Sequence, residues 1–318
     1  MTRTPIRHII SSEQFRDRRL LQRLFDRADV LHKRDDDHEL YPSLNGQMMV
    51  SLFYEPSTRT KFSFEAAIKK LGGDVIGTEN AGAFSSVTKG ESLRDTIRIV
   101  GSYSDVIVIR HPEDNSAEIA ASISTIPVIN AGAGKGEHPT QTLLDIYTIY
   151  KEKGRLEDLE IALVGDLLYG RTIHSLVKLL PLYHGNTIYL VSPKELRLPE
   201  EYKKSLTDNG VKIEELDNLD GVLPYLDVLY ITRVQRERFE NHEMYERVKD
   251  SYSIDIETLR KLKEDGIIMH PLPRVSEISP EVDYDPRAAY FRQARNGLYV
   301  RMALLEHVTH CDKKWNSN

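Results

Sequence analysis

The chain has 318 residues, 40% hydrophobic and 29% charged, which gives apolar material enough for a sizeable core and excludes disorder and collagen-like repeats. At roughly 150 residues per domain, the length predicts two domains. The net charge of −6, from 43 basic and 49 acidic residues, argues against broad binding to a phosphate backbone, so nucleic acid is not the expected partner.

At the start of the chain the apolar patch is only Ile9 and Ile10, where a signal peptide needs a long apolar run, and secretion by that route is not expected. The acidic run RDDDHE at 34–39 reads as a solvated turn before the first strand. The uncharged stretch 119–134 is broken by Ser, Thr, Pro, Asn and Gly, so no membrane span is expected there. Cys311 is the single cysteine; it rules out an intrachain disulfide and suits a reducing, cytoplasmic compartment. His307, His310 and Cys311 lie close together near the end, but zinc wants a fourth ligand and no metal is expected.

Short apolar runs at 47–54, 104–110, 126–132, 159–166, 186–192, 227–233 and 266–272 predict strands. A polar or glycine-bearing loop and a stretch of helical periodicity recur after them, the pattern of βα units. Apolar runs without alternation suit strands covered on both faces, so the class is α/β with two doubly wound parallel-sheet domains linked by helices. The break is expected near the charged stretch 151–160, giving domains at 1–150 and 151–286. Residues 138–150 form the linking helix, and a last helix, about 287–310, returns to complete the first domain.

In open α/β sheets, ligands bind at the carboxyl ends of the strands. After 47–54 comes EPSTRT, then a helix with Phe64, Ala67, Ile68 and Leu71 at helical spacing. Ser57, Thr58, Arg59 and Thr60 therefore crowd a helix N-terminus, where free amides, hydroxyls and a guanidinium suit a phosphate-sized dianion. Simple N-capping is the plainer alternative, but it uses one hydroxyl and asks for no arginine.

The second run ends in Arg110 and His111. The third leads to His138 and Gln141, one helical turn apart, able to polarise a carbonyl and to pair with a carboxamide. Gly132, Gly134, Lys135 and Gly136 match neither nucleotide-loop pattern and read as a turn. The small-residue loop 77–92 carries one lysine, Lys89, and is either a solvated loop or a lid. In the second half the runs lead to Arg171, to Arg233 and Gln235, and to Pro271, Leu272 and Pro273. Singly, Arg171 reads as a surface cation and Arg233, Arg236 and Arg238 as a solvated helix face; Arg59, Arg110, Arg171 and Arg233 together at strand tips suit a multiply anionic ligand pair.

The motifs FYEPSTRT, VIRHP, HPTQTLLD, VGDLLYGRT, YITRVQRERF and HPLPR occur in this order between 53 and 274, and with them the chain resembles the aspartate carbamoyltransferase family, in its catalytic chains. The resemblance implies transfer of the carbamoyl group of carbamoyl phosphate to L-aspartate in pyrimidine biosynthesis, with no cofactor. It implies that Ser57, Thr58, Arg59, Thr60 and Arg110 hold the phosphate, that Thr60, Arg110 and His138 address the carbonyl oxygen, and that Gln141 addresses the amide. It further implies that Ser85 and Lys89 reach the site of a neighbouring chain in a homotrimer with shared sites. Aspartate would lie on Arg171, Arg233, Gln235 and Lys89, with the carbonyls of Pro271 and Leu272 on its amine. Some family members carry separate regulatory chains, which leaves such a partner open here.

Ornithine carbamoyltransferases are the near alternative; they share STRT and HPTQ but usually show HCLP where this chain has HPLP. A non-catalytic phosphate- or nucleotide-sensing module is the alternative of another class. Around 239–248 the chain departs from the family pattern, and no contact is carried over there.

Overall fold

The structure is a computed structural model and describes residues 6–81, 89–134, 137–234, 242–248 and 251–310. Ser85, Lys135, Gly136, Gln235, Arg236, Arg238 and Cys311 lie outside the described residues. Internal contacts divide the chain into Met1–Leu143 with Arg295–Asn318, and Leu144–Ala294.

In the first unit, α1 (Arg18–Asp36) is followed by β1 (Met48–Phe53), α2 (Thr58–Lys70), β2 (Asp74–Glu79), α3 (Leu93–Gly101), β3 (Val106–His111), α4 (Ser116–Ile123) and β4 (Val128–Ala133). The strands form one parallel sheet in the order β2-β1-β3-β4. Phe64, Ala67, Ile68 and Leu71 are all buried, as their spacing predicts. Two helices run across the division between units: α5 (Pro139–Lys153) and, near the end of the chain, Tyr290–Thr309. Within the first unit the latter helix is tied to α1 by Arg27, whose Nε and Nη2 donate to the Glu306 carboxylate at 2.6 and 2.9 Å.

The second unit contains β5 (Glu160–Val164), α6 (Arg171–Leu179), β6 (Thr187–Val191), α7 (Glu200–Asp208), β7 (Lys212–Leu216), β8 (Val228–Ile231), α8 (His242–Val248), α9 (Ile256–Lys261) and β9 (Ile267–Met269); the final helix, Tyr290–Thr309, is α10. Its parallel sheet runs β7-β6-β5-β8-β9. Both sheets are parallel and flanked by helices, the class expected from the apolar runs.

Two strands escape that expectation. β2 (DVIGTE) and β7 (KIEEL) each close one edge of a sheet, and their residues are exposed or half-buried, so neither carries the continuous apolar run of a strand covered on both faces. The acidic run also differs from its reading as a turn. Asp35 and Asp36 belong to the last turn of α1; Asp35 pairs with Lys70 and accepts from the Tyr299 hydroxyl at 2.8 Å, and Asp36 pairs with Arg295. Carboxylates at a helix C-terminus oppose the helix dipole, and here these cations offset the cost.

Just before β8, Asp227 is 2% exposed and accepts from Lys263 Nζ (2.6 Å), Glu160 N (3.0 Å) and Arg155 Nη2 (3.1 Å). Burial alone raises its pKa, but the Lys263 and backbone hydrogen bonds and the charges of Lys263 and Lys153 outweigh it, holding the carboxyl below its ordinary value. A depressed pKa contributes stability that is present above the unfolded value, near 3.9, and lost as pH falls through the folded one. Removing one partner of a buried ion pair costs about 3–5 kcal/mol, and the partial exposure of Arg155 and Lys263 points to the low end. Asp227→Asn is therefore expected to lose about 3 kcal/mol in urea unfolding at pH 7. The difference from wild type should shrink as the pH falls below about 4.

Candidate functional site

In the first unit the site grows from three strand tips. β1 turns through Tyr54, Glu55 and Pro56 into α2, with Ser57 at the N-cap position. At φ −160° and ψ 76° Ser57 makes no side-chain capping bond; its Oγ instead accepts from Arg110 Nη1 at 3.4 Å. The plain capping alternative therefore does not describe this hydroxyl. Thr58 and Arg59 are exposed in the first turn of the helix, and Thr60 is buried beside them.

Arg110 sits next to last in β3 with a largely buried side chain. Besides Ser57, Nη1 reaches the carbonyl of Ala131 at 3.5 Å, and Nε lies 3.5 Å from the Glu55 carboxylate. Glu55 was given no role by sequence reasoning; its place two residues before Ser57, in the same turn, was the available signal. His111 projects elsewhere. It packs on Tyr54 with ring centroids 4.4 Å apart, accepts from Glu113 N through Nδ1, and burial lowers its pKa, so at neutral pH it adds no charge.

β3 and β4 pair Ile109 with Asn130 and then His111 with Ala133, two steps along one strand against three along the other. The extra residue is a β-bulge, a device that re-aims backbone next to sites. Gly132 lies in it at φ +115°, a conformation that L side chains rarely adopt. A Cβ on Gly132 would lie 3.2 Å from Arg110 Nη1 and 3.4 Å from His138 Cδ2, so the guanidinium and the imidazole flank one bare stretch of backbone. Its N–H donates to Asn130 Oδ1 at 2.8 Å, and Asn130 Nδ2 donates to the Ile10 carbonyl.

His138 is buried at the start of α5, where its carbonyl accepts from Gln141 N (2.9 Å) and Thr142 N (3.2 Å). The preceding Glu137 carboxylate accepts from Ser12 N and Ser12 Oγ, both at 2.6 Å, and from Ser11 Oγ at 3.1 Å. Gln141 is half-buried one turn on. Lys89 is exposed where the described chain resumes.

In the second unit Gly165, at φ +106°, lets β5 pass close to the tip of β8, for a Cβ there would lie 2.3 Å from the Thr232 carbonyl oxygen. Thr232 Oγ1 also accepts from Asp166 N at 3.1 Å, and Asp166 Oδ1 from Tyr169 N at 2.8 Å, which tightens the DLLYG turn. Arg171 opens α6 and Arg233 directly follows Thr232; both are half-buried. After β9, Pro271 and Leu272 are half-buried as well. Leu272 holds φ +55°, costly for a leucine, and the Leu272–Pro273 bond is cis. Arg274 of the HPLPR motif is engaged in structure, with both Nη atoms on Asp283 and Nη1 3.1 Å from the Tyr290 hydroxyl.

The first unit thus carries three hydroxyls and Arg59 at the N-terminus of α2, and Arg110 and His138 beside Gly132, a set suited to a phosphate-sized dianion beside a polarised oxygen. The second presents two half-buried guanidinium groups suited to carboxylates. Among the described residues no cluster of three or more His, Cys, Asp or Glu has the arrangement of a metal site.

Residues 7–151 match the family model described as aspartate/ornithine carbamoyltransferase, carbamoyl-P binding domain, and residues 157–308 match the Asp/Orn binding domain of the same family. The aspartate carbamoyltransferase catalytic subunit of Methanothrix thermoacetophila is 52% identical over 304 residues, 95% of this chain and 98% of its own. The catalytic subunit of M. jannaschii aspartate transcarbamoylase superposes with a TM-score of 0.90 at 45% identity, covering 98% of this chain and 100% of its own. Aspartate transcarbamoylase from Trypanosoma cruzi, solved with carbamoyl phosphate and aspartate, gives a TM-score of 0.90 at 43% identity over 96% of this chain and 97% of its own.

Because Ser57 makes no capping bond, Ser57→Ala is expected to change unfolding free energy by less than about 0.5 kcal/mol, where loss of a working cap costs about 1. Its affinity for inorganic phosphate in calorimetry should fall about tenfold, the scale of one hydrogen bond to a charged group. A stability loss with phosphate affinity unchanged would return Ser57 to a capping role.

Proposed function

The chain belongs to the aspartate/ornithine carbamoyltransferase family, and on that premise we propose that its two units divide the substrates of one reaction, carbamoyl phosphate to the first and L-aspartate to the second. The reaction transfers the carbamoyl group to the α-amine, giving N-carbamoyl-L-aspartate and phosphate. The observation that carries this reading is the placement of Arg110 and His138 on either side of Gly132, with Ser57 and the N-terminus of α2 beside Arg110.

Ser57, Thr58, Arg59, Thr60 and Arg110 hold the phosphate, and Gln141 takes the carbamoyl amide. The neutral amine attacks the carbonyl carbon, and the tetrahedral oxyanion is met by Arg110, His138 and Thr60. Phosphate then leaves, stabilised by Arg59 and by Lys89, which with Ser85 comes from a neighbouring chain of a homotrimer. Arg171 binds the α-carboxylate side of aspartate, Arg233 and Gln235 its β-carboxylate, and the carbonyls of Pro271 and Leu272 its amine. Preorganised charge and proximity supply the rate, and phosphate itself accepts the amine proton, so no side-chain base is needed. The relatives' names favour aspartate over ornithine, whose cationic side chain Arg233 would repel. We place the enzyme in the cytoplasm, in the supply of pyrimidine precursors.

Product formation with L-aspartate and with L-ornithine, for wild type and Arg233→Ala, tests the reading. Carbamoyl aspartate from wild type, with at least about tenfold lower kcat/KM for aspartate in the variant, is expected from loss of a charge-paired contact. Activity with ornithine instead would overturn the substrate, and phosphate binding without product would leave a sensor. His138→Ala should lower kcat by about 10²-fold, the scale of an oxyanion-hole donor. Unchanged turnover would remove His138 from that role.

A further inference from the structure

His270, the histidine of HPLPR, is 1% exposed, and its ring is hydrogen-bonded to the backbone of Leu272. Its Nδ1 accepts from Leu272 N at 2.8 Å, so Nδ1 carries no proton and the ring is neutral, with its proton on Nε2. Nε2 therefore donates to Glu277 Oε1, at 2.7 Å. The other oxygen of Glu277 accepts from Val275 N at 3.0 Å, so one carboxylate holds both ends of the loop 271–274. Burial raises the Glu277 pKa, but the His270 and backbone hydrogen bonds outweigh it and keep the carboxyl below its ordinary value, hence ionised.

The pair is anchored from behind. His270 N donates to Gln293 Oε1 at 2.9 Å, Gln293 Nε2 to Asp145 Oδ1 at 2.6 Å, and the Tyr230 hydroxyl to Asp145 Oδ2 at 2.8 Å. Every member is buried, and a buried polar chain with its partners in place is a rigid support.

We propose that His270 and Glu277 are positioning residues that aim the Pro271 and Leu272 carbonyls at the amine of the second substrate, an inference that rests on the placement of aspartate given above. A trans peptide is planar with its C=O and N–H opposed, so fixing Leu272 N–H on His270 Nδ1 turns the Pro271 carbonyl away from the His270 ring. An attacking amine needs its lone pair directed at the carbonyl carbon, and two acceptors on its N–H bonds set that direction. The same hydrogen bond holds Leu272 at φ +55°, which the residue would not adopt by preference.

Two substitutions separate the contacts. His270→Gln retains a donor toward Glu277 but removes the acceptor for Leu272 N, whereas in His270→Asn the amide oxygen replaces Nδ1. In His270→Gln, kcat/KM for aspartate should fall about 10- to 100-fold, the effect of a misplaced reacting group, while KM for carbamoyl phosphate stays within about twofold. His270→Asn should recover most of the loss. Glu277→Gln, which drops one of the two carboxylate contacts, should give an intermediate loss and serves if the histidine variants fail to fold. Thermal melting is followed alongside. A lower Tm with kcat/KM for aspartate unchanged below the melting range would show a merely structural role and overturn the proposal, as would equal losses in the Gln and Asn variants. If wild type makes no carbamoyl aspartate, the underlying reading fails and the inference with it; if wild type is active and the variants match it, the inference alone fails.

Discussion

Parallel pairing is the constraint on which both half-sites depend. It brings the carboxyl ends of neighbouring strands to one edge of each sheet, where the chain leaves hydrogen-bonded pairing and side chains meet across it. In the first unit the register places Phe53 beside Arg110 and His111 beside Ala133, so the turn after β1 and the bulge in β4 lie on either side of β3. The guanidinium of Arg110 spans that gap, touching Ser57 on one side and Ala131 on the other. In the second, the pairing of β5 with β8 brings Val164 beside Ile231 and sends Arg171 and Arg233 off adjacent strands.

At each tip, ordinary local stabilisation gives way to geometry. Ser57 occupies a capping position without capping, Gly132 lies in a bulge at positive φ, and Leu272 takes a left-handed conformation. For a leucine that conformation costs of order 1–3 kcal/mol and persists only where the surroundings over-determine it. The surroundings here are identifiable: Asn130 on Gly132, Glu137 on Ser11 and Ser12 beside His138, and His270 on Leu272. The titratable groups nearby divide by the same logic, with His111 neutral by burial and packed on Tyr54, and the arginines left to carry charge.

Much of this was legible in the order of residues. Buried parallel strands announce themselves as apolar runs, and hydroxyls or arginines directly after such a run mark a strand tip; Ser57 to Thr60, Arg110, Arg171 and Arg233 were found in that way. β2 and β7 were not, because an edge strand half-open to water carries no apolar run. Asp35 and Asp36 looked like a solvated turn because their partners, Lys70, Arg295 and Tyr299, lie far along the chain. Glu55, two residues before Ser57, was passed over because its partner, Arg110, belongs to another strand.

By itself the sequence determined what depends on neighbours along the chain: which runs form strands, which helix starts carry hydroxyls and cations, and, through six ordered motifs, the family. Only the tertiary structure decided what depends on partners far apart in the chain. That Ser57 serves Arg110 rather than its own helix follows from strand register, a through-space quantity. That His270 is a neutral acceptor clamped by Glu277 follows from a turn that folds residue 277 back onto 270. Local preference assigns a residue its conformation and its chemistry, but its partner is chosen by the packing of the whole sheet.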